Sequence, residues 1–405
     1  MSRVLFLTPQ LPYPPHQGAA IRNLNLAKIA AQQHEVAVYS FVRSPAEVEA
    51  VHVLPEWAAE VRTFPALVRS LAERALQASF SRLPDMAMRL HSDDFARAVA
   101  EAEADVVQAE GIEMVQYLDQ AKGRTVFDCH NAEWMLQRRT FAVDLARGRL
   151  AGAAYSLLQW LRLRAYERRA CQQADAVVAV SEEDRQALLD LDRTLPVEVI
   201  PNGVEAAAFK PAQAPPPNNT FLFTGTLDFR PNVDAVGWLV RDIWPLIRRQ
   251  LPDAELVLAG RAPVPSILRL DGHDGIRVVA SPPDIRPFFE AAAVYLAPLR
   301  AGGGSRFKLL QAMSMGLGIA STVLGAEGLA VADGVHLRLA DTTSGLASAA
   351  VELALDPARR QRLGTAAREL VLANYDWPVL APAVLRLYDQ SPLPPRRERA
   401  RVRVP

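Results

Sequence analysis

The run Gly302-Gly303-Gly304-Ser305-Arg306-Phe307-Lys308 packs three glycines, a hydroxyl and two cations into one short stretch, and Leu309 to Gly316 follow it. Glycines let a backbone approach a ligand closely. Ser305 is a good helix N-cap and Gly316 a good helix stop. Arg306 and Lys308 then fall in the first turn, where the helix end already carries roughly half a positive charge. Two cations there make sense if an anion such as a diphosphate occupies the helix N-terminus. The alternative is a loop followed by a helix with solvated charges.

A second candidate follows the apolar run Thr125 to Phe127, where the chain reads Asp128-Cys129-His130-Asn131-Ala132-Glu133. A histidine at the end of a buried strand, beside a carboxylate, suits contact with a substrate. A lone histidine is otherwise a structural hydrogen-bonder. Cys129 makes no nucleophile pair with it, because neighbours on a strand face opposite ways. Thr8 to Gly18 follow the first apolar run and lack the paired glycines of a dinucleotide fingerprint. Glu327 lies beyond the strand-like stretch Gly318 to Thr322. No Asp-x-Asp pair follows a strand, and Cys129 and Cys171 match no metal spacing, so neither a metal nor another cofactor is expected.

These residues need strands to hold them. Short apolar runs occur at 4–7, 36–39, 106–107, 126–127 and 177–180, then at 221–223, 256–258, 278–279, 294–296 and 319–320. Helix-like stretches separate them. This alternation implies right-handed βαβ units and doubly wound parallel sheets, whose ligands bind at the carboxyl ends of the strands. The series restarts after Pro211 to Asn219, a proline-rich linker. The expected organisation is an N-terminal domain over 1–210 and a C-terminal domain over 219–375. A last helix lies within 376–393, and 394–405 form a disordered, Arg- and Pro-rich tail.

The glycine-rich segment resembles the donor-binding segment of family 4 glycosyltransferases of the GT-B fold, which in one branch reads Gly-Gly-x-Arg-x-Lys-x-x-Glu-Ala-x-Ala-x-Gly. The likeness extends to Val180-Ser181-Glu182, Val199 to Val204, Phe223 to Leu227, Ser321 to Gly328 and Tyr375-Asp376-Trp377, in the same order and spacing. It implies two Rossmann-like domains facing a central cleft, with the last helix crossing back to the first domain. The implied reaction moves a sugar, with retention, from a nucleoside diphosphate sugar to a hydroxyl of a glycan or lipid-linked acceptor. The leaving diphosphate helps take the acceptor proton, and Arg306 and Lys308 stabilise its charge. His130 is implied near the donor sugar. Gly18, Gly304, Ser305, Gln311 and Glu327 are implied at the donor.

Two departures stand out. The carboxylates of the family's Glu-x7-Glu pair are replaced by Gly303 and Gln311. An amide accepts a ribose hydroxyl through its oxygen, without charge assistance. A phosphate-binding arginine often follows the glycine at Gly225, where this chain has Thr226. Arg230 is either its replacement or part of a surface turn. Two other classes share the pattern: a sugar-nucleotide epimerase of the same fold, and a non-catalytic nucleotide-sugar-binding partner subunit.

Acidic and basic residues balance at 45 each, without the basic excess of a nucleic-acid binder. No apolar run is long enough to cross a bilayer, and the N-terminal run is too short for a signal peptide, so a cytoplasmic protein is expected. Between Gln137 and Arg169, eight arginines alternate with Tyr155, Leu157, Leu158, Trp160 and Leu161. The stretch is either a helix on an anionic membrane surface or a helical excursion packed on the first domain.

Overall fold

The computed structural model describes residues 1–389 other than 16, 45–46, 48–50, 52–55, 67–68, 71–80, 82, 147, 214–215, 217–218 and 302–305. The chain forms two compact α/β units. One comprises Met1–Pro201 with the segment from Ala381 onward; the other is Asn202–Leu380.

The first unit holds β1 (Arg3–Thr8), β2 (Glu35–Val42), β3 (Glu60–Pro65), β4 (Val106–Glu110), β5 (Arg124–Cys129), β6 (Ala176–Ala179) and β7 (Val197–Val199). They form one parallel sheet ordered β3-β2-β1-β4-β5-β6-β7. The second unit holds β8 (Thr220–Thr224), β9 (Glu255–Gly260), β10 (Ile276–Ala280), β11 (Val294–Ala297), β12 (Gly318–Ser321) and β13 (Arg338–Leu339). Their parallel order is β10-β9-β8-β11-β12-β13. In each sheet the order reverses beside the first strand, between β1 and β4 and between β8 and β11. Such switch points open a crevice at the carboxyl ends of the strands.

All ten apolar runs fall on strands. The strands without such a run are β3, β7 and β13, and each lies at a sheet edge. Their sequences, EVRTFP, VEV and RL, are only partly buried, so no continuous apolar stretch is needed. The central β4 and β5 are buried along their whole length.

Helix α1 (Gly18–Ala30) follows β1, and α2 (Asp93–Glu101) precedes β4. The arginine-rich stretch is a pair of helices, α3 (Glu133–Ala146) and α4 (Leu150–Gln173). On α4, Ala153, Ser156, Gln159, Leu163, Glu167 and Ala170 recur at helical spacing and are buried. Helix α5 (Glu182–Leu189) is capped by the Ser181 hydroxyl, which accepts from Asp184 N. The second unit adds α6 (Arg230–Trp238), α7 (Phe307–Ser314), α8 (Thr343–Leu355) and α9 (Pro357–Asn374).

The chain joins the second unit before the Pro211–Asn219 stretch where the sequence places the boundary. Phe209 packs into that unit's core, and its carbonyl accepts from Ser314 Oγ at 2.6 Å. Helix α10 (Trp377–Asp389) belongs from Ala381 onward to the first unit. There buried Tyr388 donates its hydroxyl to Gln108 Oε1 at 2.8 Å, and Arg124 donates to the Leu387 carbonyl. The expected tail, 394–405, lies outside the described residues.

Candidate active site

In the first unit, β4 and β5 pair so that Glu110 stands beside Asp128, and His130 follows at the end of β5. Helix α1 brings Arg22 across. The Arg22 guanidinium grips both carboxylate oxygens of Asp128, Nε to Oδ2 at 2.7 Å and Nη2 to Oδ1 at 2.9 Å. The two side chains are 1% and 0% exposed. Arg22 also donates to the Pro201 carbonyl at 3.2 Å. His130 Nε2 lies 2.9 Å from Glu110 Oε2 and 3.7 Å from Asp128 Oδ2. Glu110 Oε1 accepts from Gln108 Nε2 at 2.7 Å. With its amide nitrogen turned toward Glu110, Asn23 donates to Glu110 Oε2 at 2.9 Å and to the Ala19 carbonyl at 2.8 Å.

The charges follow from this packing. Burial alone would raise the Asp128 pKa, but the Arg22 charge and hydrogen bonds outweigh it and hold the carboxyl low. Glu110 has no such partner; burial and then the Asp128 carboxylate push it up to about 7. Burial opposes the charged form of His130, yet the Glu110 hydrogen bond and Asp128 raise it above its ordinary value. Glu110 and His130 are therefore coupled, each favouring the protonated form more than it would in water. Ligand atoms of Glu110, Asp128 and His130 lie within 4.8 Å of one another, a spacing that could hold a metal ion. Arg22 already supplies the cation for Asp128, and a divalent ion beside it would meet its repulsion.

Next to this cluster, Glu167 of α4 accepts the backbone N–H groups of Glu133 and Trp134 at 3.0 and 2.9 Å, an anion placed on the N-terminus of α3. Burial pushes Glu167 up to about 7. Burial, then the carboxylates of Glu113 and Glu167, push Glu133 up to about 8. Cys129 turns away into the core, and burial raises its thiol well above the ordinary value, as opposite strand faces require.

In the second unit, the loops after β8 and β11 supply the site. Lys308 is the second residue of α7 and partly buried, with no hydrogen bond or ion pair among the described residues. Burial lowers its pKa to about 8. Its Nζ sits 3.2 Å from where a β-carbon on Gly225 would stand. Gln311, one turn on, is likewise partly buried with no side-chain hydrogen bond among the described residues. Gly316 ends the helix segment at φ 69°, the left-handed stop expected of it.

Several expected residues are placed differently. Helix α7 starts at Phe307, so Arg306 occupies the N-cap position instead of the first turn. Its guanidinium braces the turn after β12, donating to the Leu324 and Glu327 carbonyls at 2.7 and 3.3 Å. The Glu327 carboxylate lies 3.6 Å away. Gly304 and Ser305, the expected cap, lie outside the described residues. Gly18 opens α1 instead of standing in the preceding loop, because Gln17 O already accepts from Ile21 N. Arg230 is exposed at the start of α6. Two residues on, Asn232 is buried, and its Nδ2 donates to Thr226 O at 2.9 Å. Arg22 and Glu110 were not legible as site residues. The signal that could have found Glu110 is a carboxylate closing an otherwise apolar strand beside the strand that carries Asp128.

The family described as Glycosyltransferase Family 4 matches residues 16–208, and that described as Glycosyl transferases group 1 matches 218–356. The alpha-maltose-1-phosphate synthase of Mycolicibacterium smegmatis is 29% identical over 269 residues, 58% of this chain and 67% of that protein. The phosphatidyl-myo-inositol mannosyltransferase of the same organism is 30% identical over 224 residues, 52% of this chain and 56% of that one. Among solved structures, the sucrose-phosphate synthase of Thermosynechococcus elongatus aligns with a TM-score of 0.69 at 16% identity, covering 96% of this chain and 98% of that one. Anabaena HepE in complex with UDP aligns at 0.67 and 16% identity, covering 95% and 99%. The two Rossmann-like units are those of the GT-B fold, and the chain belongs to the family 4, group 1 glycosyltransferases.

Proposed function

We propose that this glycosyltransferase moves a sugar, with retention and without a metal ion or other cofactor, from a nucleoside diphosphate sugar to a hydroxyl of a glycan or lipid-linked acceptor. The observation that carries the reading is Lys308. A partly buried ammonium with no partner among the described residues, at the start of α7, suits an anionic ligand in front of that helix. The leaving diphosphate is such an anion, and Lys308 stabilises its growing charge. Arg306 holds the neighbouring turn and lends its charge. Anabaena HepE, whose structures contain UDP and UDP-glucose, supports the donor class. The mannosyltransferase relative, by its name, supports a lipid-linked acceptor.

We place this activity in cell-envelope or exopolysaccharide synthesis, in the cytoplasm at the inner face of the membrane. No helix among the described residues is long and apolar enough to cross a bilayer. The α3–α4 pair presents Leu150 at 72% and Leu161 at 55% exposure, with Leu157 and Leu158 also exposed. Exposed Arg138, Arg139, Arg149, Arg164, Arg168 and Arg169 accompany them. Exposed apolar side chains and exposed cations on one helix pair suit an anionic lipid surface.

Thermal shift against UDP, GDP and their sugars tests donor binding, since a ligand of the folded state stabilises it by about 2.7 kcal/mol at a hundredfold excess over Kd. Transfer that is lost with chelator and restored by manganese or magnesium overturns the metal-free mechanism. Gln311 favours a second reading, a nucleotide-sugar-binding subunit without transfer; donor binding with neither transfer nor donor hydrolysis selects it.

A further inference from the structure

We propose that Glu110 is a positioning residue for His130: its buried carboxylate holds the imidazole by Nε2 and turns the Nδ1 edge, beside Gly111, toward the transferred sugar. The inference deepens the proposed function, because the sugar is that of the nucleoside diphosphate donor.

Glu110 is fully buried, and its oxygens are assigned by the surrounding groups. Oε1 takes Gln108 Nε2, and the Gln108 amide is itself fixed by the Tyr388 hydroxyl of α10. Oε2 takes His130 Nε2 at 2.9 Å and the Asn23 amide at 2.9 Å; the Asn23 nitrogen also comes within 3.3 Å of His130 Nε2, a longer contact than the one Nε2 makes with Glu110. Asp128 stands beside Glu110, but Arg22 occupies both of its oxygens. Glu110 is therefore the carboxylate left to bind the imidazole. Rotating the ring would take away the one donor that Glu110 draws from the end of β5, leaving its buried carboxylate with Gln108 and Asn23 alone.

The other edge of the ring is open. The His130 side chain is 14% exposed. Gly111 has φ 85°, a backbone conformation that favours glycine, and a β-carbon there would come within 3.6 Å of Nδ1. A residue without a side chain thus leaves room in front of Nδ1, with Glu113 Oε2 at the margin of the same space. The arrangement makes Nε2 the anchored nitrogen and Nδ1 the one that can accept a hydrogen bond from a sugar hydroxyl. The charged groups around the ring are Arg22 from α1, Glu110 from β4, Asp128 from β5, Glu133 from α3 and Glu113 after β4.

Nitrogen-15 NMR of the histidine-labelled full chain tests this without any donor. In wild type, neutral His130 should carry its proton on Nε2; an Nδ1–H form overturns the inference. Glu110→Gln, which keeps the side chain's shape, should lower the His130 pKa, because the Glu110 hydrogen bond and charge both raise it, and an unchanged pKa overturns it. If that variant does not fold, the wild-type tautomer decides alone. In transfer assays Glu110→Gln should cut kcat by about 10–100-fold, by analogy with the loss of a partner that orients a metal-ligating histidine, with KM for the donor nearly unchanged. Unchanged kcat, with His130 released, removes the ring from the reaction. A wild-type protein that binds no nucleoside diphosphate sugar sinks the proposed function instead, and the titration still decides the hold of Glu110 on His130.

Discussion

Lys308 Nζ lies 3.2 Å from the position a β-carbon on Gly225 would take, so the ammonium and the end of β8 meet only because that position has no side chain. The same β-carbon would come within 2.9 Å of Asn232 Nδ2, which holds the Thr226 carbonyl. The loop after β8 and the first turns of α6 and α7 therefore converge on one small volume at the β8–β11 switch point.

Lys308→Ala should nearly abolish transfer while leaving the fold intact. Loss of a charge contact to the leaving group costs about 2.7–4 kcal/mol in the transition state, or roughly 10²–10³ in kcat, by analogy with a lost oxyanion donor. Removing a partly buried cation that has no partner among the described residues should not destabilise the fold. Steady-state kinetics and a thermal melt check both halves, and near-normal turnover takes Lys308 out of the site.

Stability should fall as pH rises from about 4.5 to 8. Burial holds Glu110 and Glu167 up at about 7 and Glu133 at about 8, against 4.5 for a free glutamate. In that window the folded state binds more protons than the unfolded one, so stability present below 4.5 is lost as these carboxyls ionise. The raised His130 pKa acts in the same direction. Asp128 acts in the opposite direction at lower pH: its carboxyl is held low, so its contribution is lost only as pH falls below about 4. Glu133→Gln should flatten the slope and stabilise the protein at pH 8.5 by about 3–5 kcal/mol, the upper end being the full rise from 4.5 to about 8 at about 1.4 kcal/mol for each pH unit. Urea melts across pH check it; an identical slope in the variant refutes the assignment.

Much of this site was written locally, and what was not depended on distance along the chain. Buried parallel strands need apolar residues on both faces, which is why ten of them could be read from short runs. Edge strands β3, β7 and β13 carry no such demand and left no mark. Lys308 lies on one short helix, and Gly316, just past its end, is a local stop signal. Arg22 and Asp128 are separated by 106 positions and meet only through the β1–β4–β5 order of the sheet. Arg306 was read as a first-turn cation because a serine precedes it. In the fold it turns to the carbonyls of Leu324 and Glu327, contacts that no local pattern encodes.

Anionic vesicles should retain the protein at low salt and release it at high salt. Six exposed arginines, five on α3 and α4 and Arg149 between them, contribute about 1 kcal/mol each near the surface, and three or four suffice for detectable binding. Leu150→Asp with Leu161→Asp should weaken flotation without changing the melt, because both side chains already face solvent. Absence of flotation at low salt leaves the helix pair as packing on the first unit.

Gln311→Glu should tighten donor binding. The side chain lies three positions after Lys308, on the same side of α7, partly buried and with no hydrogen bond among the described residues. With the diphosphate before the helix, Gln311 stands one turn further along, toward the ribose. A carboxylate there would accept from two ribose hydroxyls with charge assistance, whereas the amide accepts through one atom and its NH2 must find another acceptor. The difference between charged and neutral hydrogen bonds suggests a gain of about 1–2 kcal/mol. Lys308 is close enough along the helix to offset the new charge, which limits the cost of partial burial. Calorimetry of both proteins with the same nucleotide measures the gain, and the preferred base should not change. Equal affinities would mean that Gln311 does not touch the donor and that the ribose lies elsewhere. Weaker binding would mean that the surroundings are built for an amide, with an acceptor for its NH2 that a carboxylate would repel.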